Sequence, residues 1–198
     1  KNALADEIAI FGAASEAFSK ANINCSIEDS LARFSPVMVA AKAAGIPVRG
    51  YVSCITDCPY EGTVSPTRTA RVAEALFDMG CYEISLGDTI GQATPERLDK
   101  TLNAVLKRVP ASAVAGHYHD TNQRALENIE LSLAHGIRVF DAAVGGLGGC
   151  PYAPGAKGNV ATEAVAALMQ SHGFKTGLDL IKLRKVAQMA KRLAHGAA

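Results

Sequence analysis

The fold class follows from the stretch Val48-Arg49-Gly50-Tyr51-Val52-Ser53-Cys54, whose pattern recurs in Tyr82-Glu83-Ile84-Ser85-Leu86. Apolar and polar side chains alternate in both, which is typical of strands with one apolar face and one polar face. Strands of an open parallel sheet are apolar on both faces, so this alternation favours a barrel. In a barrel the apolar set packs on the surrounding helices, and Arg49, Glu83 and Ser85 point inward toward a site.

Apolar runs of strand length alternate with helix-period segments along the whole chain, as expected for an α/β fold. The predicted strands cover residues 7–11, 48–54, 82–86, 114–119 and 139–143. Helices are predicted after Ser26, Ser65 and Thr94 and over residues 122–135, 162–172 and 179–194, and Pro36 is expected to kink or split the first of the long ones. A (β/α)₈ TIM barrel has eight strands in about 250 residues. We therefore predict a partial barrel that contains about five of the eight strands plus C-terminal helices and lacks the first three strands.

Composition narrows the partners and the compartment. The 198 residues are 48% hydrophobic and 20% charged, with 20 Lys and Arg against 19 Asp and Glu, so no excess of one charge attracts nucleic acid or an anionic membrane. We expect neither partner, and the sequence has no apolar run near the ~20 residues of a membrane span. The five cysteines are scattered and odd in number, which favours a reducing compartment over a disulfide scaffold.

A glycine-rich stretch predicts a mobile loop that presents a thiol. Its sequence is Gly145-Gly146-Leu147-Gly148-Gly149-Cys150-Pro151. Four glycines allow the backbone to move, and Pro151 biases Cys150 toward extended geometry. The alternative is a glycine-rich turn with an unreactive buried thiol.

Two histidines end the fourth predicted strand and predict a metal site. Side chains two apart share one face of a strand, so His117 and His119 lie about 6 to 7 Å apart at their Cα atoms. This spacing suits one divalent ion, whereas the alternative is two hydrogen-bonded histidines at the rim of the sheet. Asn159, beyond the glycine-rich loop, offers an amide oxygen of the kind that Mg²⁺ or Mn²⁺ prefers, although it could instead cap the following helix.

Several segments together resemble one enzyme family. They are Ile10-Phe11-Gly12-Ala13-Ala14-Ser15-Glu16, Asn24-Cys25-Ser26-Ile27-Glu28, Arg49-Gly50-Tyr51-Val52-Ser53-Cys54, Cys58-Pro59-Tyr60-Glu61-Gly62, Glu83-Ile84-Ser85-Leu86-Gly87-Asp88-Thr89-Ile90-Gly91 and Gly148-Gly149-Cys150-Pro151-Tyr152-Ala153. The chain resembles the TIM-barrel metal-dependent lyases, the family of 3-hydroxy-3-methylglutaryl-CoA lyase, over almost its whole length. Claisen-condensing synthases of this family share the His-x-His pair and the later Asn but lack the cysteine, so Cys150 favours a lyase.

The resemblance implies cleavage of 3-hydroxy-3-methylglutaryl-CoA to acetyl-CoA and acetoacetate, the reaction of leucine degradation and ketone-body formation. It implies that His117, His119 and Asn159 hold Mg²⁺ or Mn²⁺ and that Cys150 acts in acid/base catalysis. Asp88 and Glu163 match positions that the family uses around the site, although a turn aspartate and a first-turn helix glutamate are equally open interpretations. The substrate is then an acyl-CoA thioester, the full-length protein a homodimer, and its location the bacterial cytoplasm or the mitochondrial matrix of a eukaryote.

Residues 1–198 are expected to form a single domain, the C-terminal two-thirds of a TIM-barrel lyase. The family's remaining metal aspartate, its catalytic arginine and a further glutamate lie in the first strands, so the 198-residue piece alone is predicted to be inactive. Two other functions stay open: a condensing synthase or aldolase of the same barrel, and a non-catalytic fragment. Four residues depart from the family pattern and bear on substrate entry: Gln123, Arg124, Glu127 and Lys157.

Overall fold

The computed structural model describes residues 5–149 and 158–196, and at its centre lies a parallel sheet. The strands are β1 (Ile8–Ala13), β2 (Val48–Ser53), β3 (Asp57–Cys58), β4 (Gly62–Thr63), β5 (Glu83–Asp88), β6 (Val114–Tyr118) and β7 (Val139–Phe140). Five of them form the sheet in the order β1-β2-β5-β6-β7, all parallel, and β3 pairs with β4 in a separate hairpin. The five predicted strands are thus confirmed, whereas the short hairpin was not predicted.

Helices follow the strands, and the first four begin at side-chain caps. The helices are α1 (Glu16–Ile23), α2 (Ile27–Ala44), α3 (Pro66–Asp78), α4 (Pro95–Val105), α5 (Ala125–Ala134), α6 (Thr162–Ser171) and α7 (Leu180–Gly196). The hydroxyls of Ser26, Ser65 and Thr94 accept hydrogen bonds from backbone amides three residues later, which confirms the three predicted helix starts. Helix α1 was not predicted, although Ser15 caps it in the same way.

The two faces of the sheet divide as the sequence alternation predicts. Val52, Ile84 and Leu86 are fully buried in the hydrophobic core beneath the helices. Arg49 lies beside Glu83 in the register of β2 and β5, on the opposite face of the sheet. The polar side chains of the central strands therefore line the inner face of the barrel.

The prediction that Pro36 splits its helix is wrong, since α2 runs through this residue from Ile27 to Ala44, and a kink at Pro36 stays a prediction. The side chain of Pro36 is exposed. Met38 and Ala41, on the same helix, are buried in the core. Tertiary packing of this face stabilises the helix more than the proline disrupts it.

Within the described residues the sheet is open, with β1 and β7 at its edges. A closed barrel of this type has eight strands, so closure needs further strands between these edges. Helix α7 buries Ala187 but leaves several large apolar side chains exposed, namely Ile181, Val186, Met189 and Leu193. None of the helices described here is long and apolar enough to cross a lipid bilayer.

Candidate active site at the carboxyl end of the sheet

His117 lies in β6 and His119 directly follows it, at the edge where the parallel strands end. Their ring centroids are 5.4 Å apart with the planes inclined by 48°, so the two imidazoles face the same side as predicted. Together with Phe11, Tyr51 and Thr89 they line a cavity of about 120 Å³. The strand spacing therefore places two nitrogen ligands at one small cavity.

His119 carries an unsatisfied buried nitrogen. Its Nδ1 atom is buried and has no hydrogen-bond partner among the described residues. Burial, together with the neighbouring His117, lowers the pKa of His119 to about 4, so the ring is neutral at physiological pH. A buried nitrogen without a partner costs free energy, and a neutral imidazole is a common metal ligand.

His117 is oriented by a carboxylate. Its Nδ1 atom lies 3.1 Å from Oδ2 of Asp141, the residue that follows β7. Burial alone would raise the pKa of Asp141, but hydrogen bonds from His117 and Ser85 and the charge of Arg49 outweigh it and hold that pKa below its usual value. The ionised carboxylate can only accept, so Nδ1 of His117 donates, and in the neutral ring Nε2 then keeps its lone pair.

Arg49 fixes the position of this carboxylate from across the sheet. Its Nη1 atom lies 2.8 Å from Oδ1 and 3.0 Å from Oδ2 of Asp141, and its Nε atom lies 2.7 Å from Oε1 of Glu83. The ring of Tyr51 lies under the guanidinium, 4.9 Å from its carbon. Although burial opposes the charge, the two carboxylates raise the pKa of Arg49, so it stays cationic. Arg49 and Glu83 thus form the inward-facing polar network that the strand alternation predicts.

Asn159 is joined to the histidine strand by an isolated antiparallel bridge with His119. Its side-chain Nδ2 donates to the carbonyl of Leu147 at 3.0 Å, which leaves the amide oxygen to act as a ligand. The alternative interpretation, that Asn159 caps α6, is wrong. The cap position is Ala161, and no side chain bonds the start of this helix.

The base of the glycine-rich loop packs closely against Asn159. A Cβ at Gly148 would lie 2.6 Å from the Nδ2 atom of Asn159, and one at Gly158 would lie 1.8 Å from the carbonyl oxygen of Gly148. Only glycine fits this approach at both positions, and both have positive φ angles. Cys150, the predicted acid/base residue, lies outside the described residues.

Asp88 anchors the loop that follows β5. Its Oδ1 accepts from the amide of Gln92 at 3.1 Å and its Oδ2 from the amide of Ala93 at 3.0 Å. Burial raises the pKa of Asp88 to about 6. The predicted catalytic carboxylate therefore bonds the backbone of its own loop.

Glu163, in the first turn of α6, anchors the glycine-rich loop. Its Oε2 accepts from the amide of Gly145 at 3.0 Å, and its Oε1 lies 4.0 Å from Nζ of Lys191 on α7. This second predicted catalytic carboxylate also bonds loop backbone.

A family model described as HMGL-like matches residues 1–190, almost the whole of the chain whose site has just been described. The chain belongs to the HMGL-like family. Its curated relatives include the mitochondrial hydroxymethylglutaryl-CoA lyase of Gallus gallus, 59% identical over 179 residues, and the hydroxymethylglutaryl-CoA lyase of Pseudomonas mevalonii, 52% identical over 188 residues. The chain aligns over 90% and 95% of its own residues with them but spans only 60% and 62% of their lengths.

Solved structures of the family have the same fold. The HMG-CoA lyase of Brucella melitensis superposes with a TM-score of 0.93 at 58% identity, covering 96% of this chain and 67% of that one. The structural neighbours are TIM barrels, which confirms the predicted fold class of a partial barrel with a parallel sheet.

The HMGL-like chain also contains a site residue that the sequence did not reveal. Asp141 was not predicted, although its position directly after β7 places a carboxylate at the strand ends where barrel sites lie. Within residues 5–149 and 158–196, no three His, Cys, Asp or Glu side chains group closely enough to hold a metal ion. A cation at His117 and His119 would therefore need the amide oxygen of Asn159 and oxygen ligands from water or substrate.

Proposed function

We propose that the full-length gene product containing this chain is a 3-hydroxy-3-methylglutaryl-CoA lyase, which releases acetyl-CoA and acetoacetate. The observation that carries the proposal is the pair of imidazoles, 5.4 Å apart at the strand ends, in a chain 59% identical to a curated relative named for this activity. Because the chain covers 60% of that relative, the activity is proposed for the full-length product rather than for these residues alone.

The residues present fit a divalent cation. His117 keeps the lone pair of Nε2, His119 has a buried ring nitrogen without a partner among the described residues, and Asn159 keeps its amide oxygen. We propose that these three hold Mg²⁺ or Mn²⁺, since a mixed nitrogen and oxygen set with open positions suits a catalytic ion. A bound cation would acidify the substrate hydroxyl and hold a carboxylate oxygen.

The cleaved bond joins C2 and C3 of the acyl group. A base removes the proton of the tertiary hydroxyl, the C3 oxygen becomes the ketone of acetoacetate, and the electron pair of the broken bond passes to C2 as the thioester enolate. That carbon takes up a proton to give acetyl-CoA. We propose Cys150, a thiol beside the glycine-rich loop, as the proton donor.

The described residues around the site act on position rather than on bonds. Arg49 and Asp141 hold the ring of His117, and Leu147 holds the amide of Asn159. Asp88 and Glu163 shape the two neighbouring loops through backbone amides. We therefore assign the last two residues to loop positioning within the catalytic site.

We propose that the full-length product is a homodimer in a reducing compartment, the bacterial cytoplasm or the mitochondrial matrix. The exposed apolar face of α7 supports association. Three cysteines of the described residues are free thiols, which supports a reducing environment: Cys25, Cys58 and Cys81.

The test is a coupled assay of acetoacetate release from 3-hydroxy-3-methylglutaryl-CoA by the full-length product, with Mg²⁺, with Mn²⁺ and after chelation. We expect release that depends on the cation. Cys150→Ser should lose turnover while it retains the metal. An absence of release in the presence of either cation would reject the lyase, and unchanged turnover in the serine variant would remove Cys150 from the reaction.

A further inference from the structure

We propose that Asp141 is a positioning residue that fixes the tautomer of His117 and so prepares its Nε2 atom to bind the cation. The inference rests on the proposed function, because it concerns how the metal site of that lyase is built. It assigns to Asp141, to Arg49 and to Ser85 one joint task at the inner face of the barrel.

The geometry fixes the direction of the hydrogen bond to His117. Oδ2 of Asp141 receives the hydroxyl of Ser85 at 2.8 Å and lies 3.0 Å from Nη1 of Arg49. Both partners are donors, so the carboxylate is held in its acceptor-only form. The Nδ1 atom of His117 lies 3.1 Å from the same oxygen, so in the neutral ring it is Nδ1 that carries the proton and Nε2 that keeps its lone pair.

Three strands and a loop hold the carboxylate in place. Arg49 comes from β2, Ser85 from β5 and His117 from β6, while the backbone amide of Asp141 donates to the carbonyl of Gly116 at 2.9 Å. The main chain and both carboxylate oxygens are thus fixed, so the ring of His117 meets a rigid acceptor. Partners that orient a metal-binding imidazole in this way change metal affinity by about 10- to 100-fold when they are removed.

A second histidine and aspartate pair supplies a matched control. Nε2 of His135 lies 2.7 Å from Oδ1 of Asp99, at the surface between α5 and α4 and away from the cavity. The side chain of Asp99 is 45% exposed, against 21% for Asp141. Asp99→Asn therefore weakens a similar pair without touching the site, whereas Asp141→Asn alters the site itself.

The experiment measures two properties of Asp141→Asn and Asp99→Asn in the full-length product. The first is the tautomer of His117 in the metal-free protein, from the chemical shifts of its ring nitrogens in NMR. The second is the affinity for Mn²⁺ alone, from calorimetry. In Asp141→Asn only one oxygen remains to accept from Arg49, Ser85 and His117, and the amide NH2 replaces the other oxygen. If the NH2 group faces His117, Nδ1 must accept, and the ring proton moves to Nε2.

We expect Asp141→Asn to shift His117 away from the Nδ1–H tautomer and to weaken Mn²⁺ binding at least tenfold. Asp99→Asn should change neither property. An unchanged tautomer with Mn²⁺ affinity within twofold of wild type would overturn the inference. If the wild type binds no Mn²⁺, the proposed metal function fails, and the tautomer alone decides whether Asp141 orients His117.

If Asp141→Asn does not fold, the same two measurements are made on Arg49→Lys and Ser85→Ala. Lysine keeps the charge but cannot reach both Glu83 and Asp141 as the guanidinium does. We expect Arg49→Lys to weaken Mn²⁺ binding more than Ser85→Ala does. The alanine substitution removes a single hydrogen bond to Asp141, whereas Arg49 contacts both carboxylate oxygens. Wild-type affinity and wild-type tautomer in both variants would overturn the inference.

Discussion

The carboxylate of Glu163 accepts a hydrogen bond from the backbone amide of Gly145, at 3.0 Å between Oε2 and the amide nitrogen. Helix α6 thereby holds the start of the glycine-rich loop that leads to Cys150. The contact links Glu163, which was predicted to be catalytic, to the backbone of the loop. It therefore allows an experiment to distinguish a role in proton transfer from a role in anchoring the loop.

Glu163→Gln keeps an acceptor for the amide of Gly145, whereas Glu163→Ala removes it. We expect the glutamine variant to retain turnover within a few-fold and the alanine variant to lose most of it, with a loss of about 1 kcal/mol of unfolding free energy. Steady-state kinetics and chemical denaturation of both variants measure this. If Glu163→Gln abolished turnover while it stayed folded, the carboxylate would act directly in proton transfer.

The buried carboxyl of Asp88 should make the free energy of unfolding depend on pH. Burial raises its pKa to about 6 from 3.8, so between these values the folded protein holds a proton that the unfolded chain has lost. This stabilising contribution is fully present below the unfolded pKa and is lost as pH rises through the folded pKa, a decrease on the order of 3 kcal/mol.

Asp88→Asn removes this titration. The unfolding free energy of wild type minus that of the variant should therefore fall as pH rises from about 4 to about 7. Urea denaturation across this range measures the difference and cancels the other titrating groups. A difference independent of pH would contradict the burial of an ionisable Asp88.

Replacement of Pro36 by alanine should stabilise the protein. It lies exposed inside α2, where it removes one backbone hydrogen bond. Pro36→Ala should raise the unfolding free energy by about 1 kcal/mol or more. Pro66→Ala is the matched control, because Pro66 occupies the first turn of α3 and removes no helical bond. An equal effect of both substitutions would contradict this account.

The 198-residue chain alone should associate with itself. Its two edge strands and the apolar face of α7 are exposed within the described residues. Light scattering after size exclusion should detect species larger than a monomer, and Met189→Lys with Leu193→Lys should reduce them. A sharp unfolding transition of a stable monomer would disagree with this prediction.

Much of the barrel could be predicted from the sequence because its signals are local. The alternation in residues 48–54 and 82–86 places the inward polar side chains, and Ser26, Ser65 and Thr94 mark the helix starts. The two-residue strands of the β3–β4 hairpin are too short for a period to identify them. The course of α2 through Pro36 depends on core packing, which no local pattern contains.

The residues of the site also divide into those that a local pattern predicts and those that only the folded chain brings together. The shared face of His117 and His119 follows from strand geometry, and it was predicted. The contact between His117 and Asp141 joins a residue of β6 to the residue that follows β7, 24 positions later, so only the register of the sheet reveals it. The backbone contacts of Asp88 and Glu163 depend on loop conformation, and sequence alone could not separate catalysis from anchoring.

The most direct test of the shared cation is pulsed electron paramagnetic resonance of Mn²⁺ bound to the full-length product. Nitrogen modulation in the spin echo reports imidazole ligands. We predict modulation from two imidazole nitrogens, reduced to one in His119→Gln and also in His117→Gln. Bound Mn²⁺ without nitrogen modulation, or with modulation that neither substitution changes, would contradict a metal centre at His117 and His119.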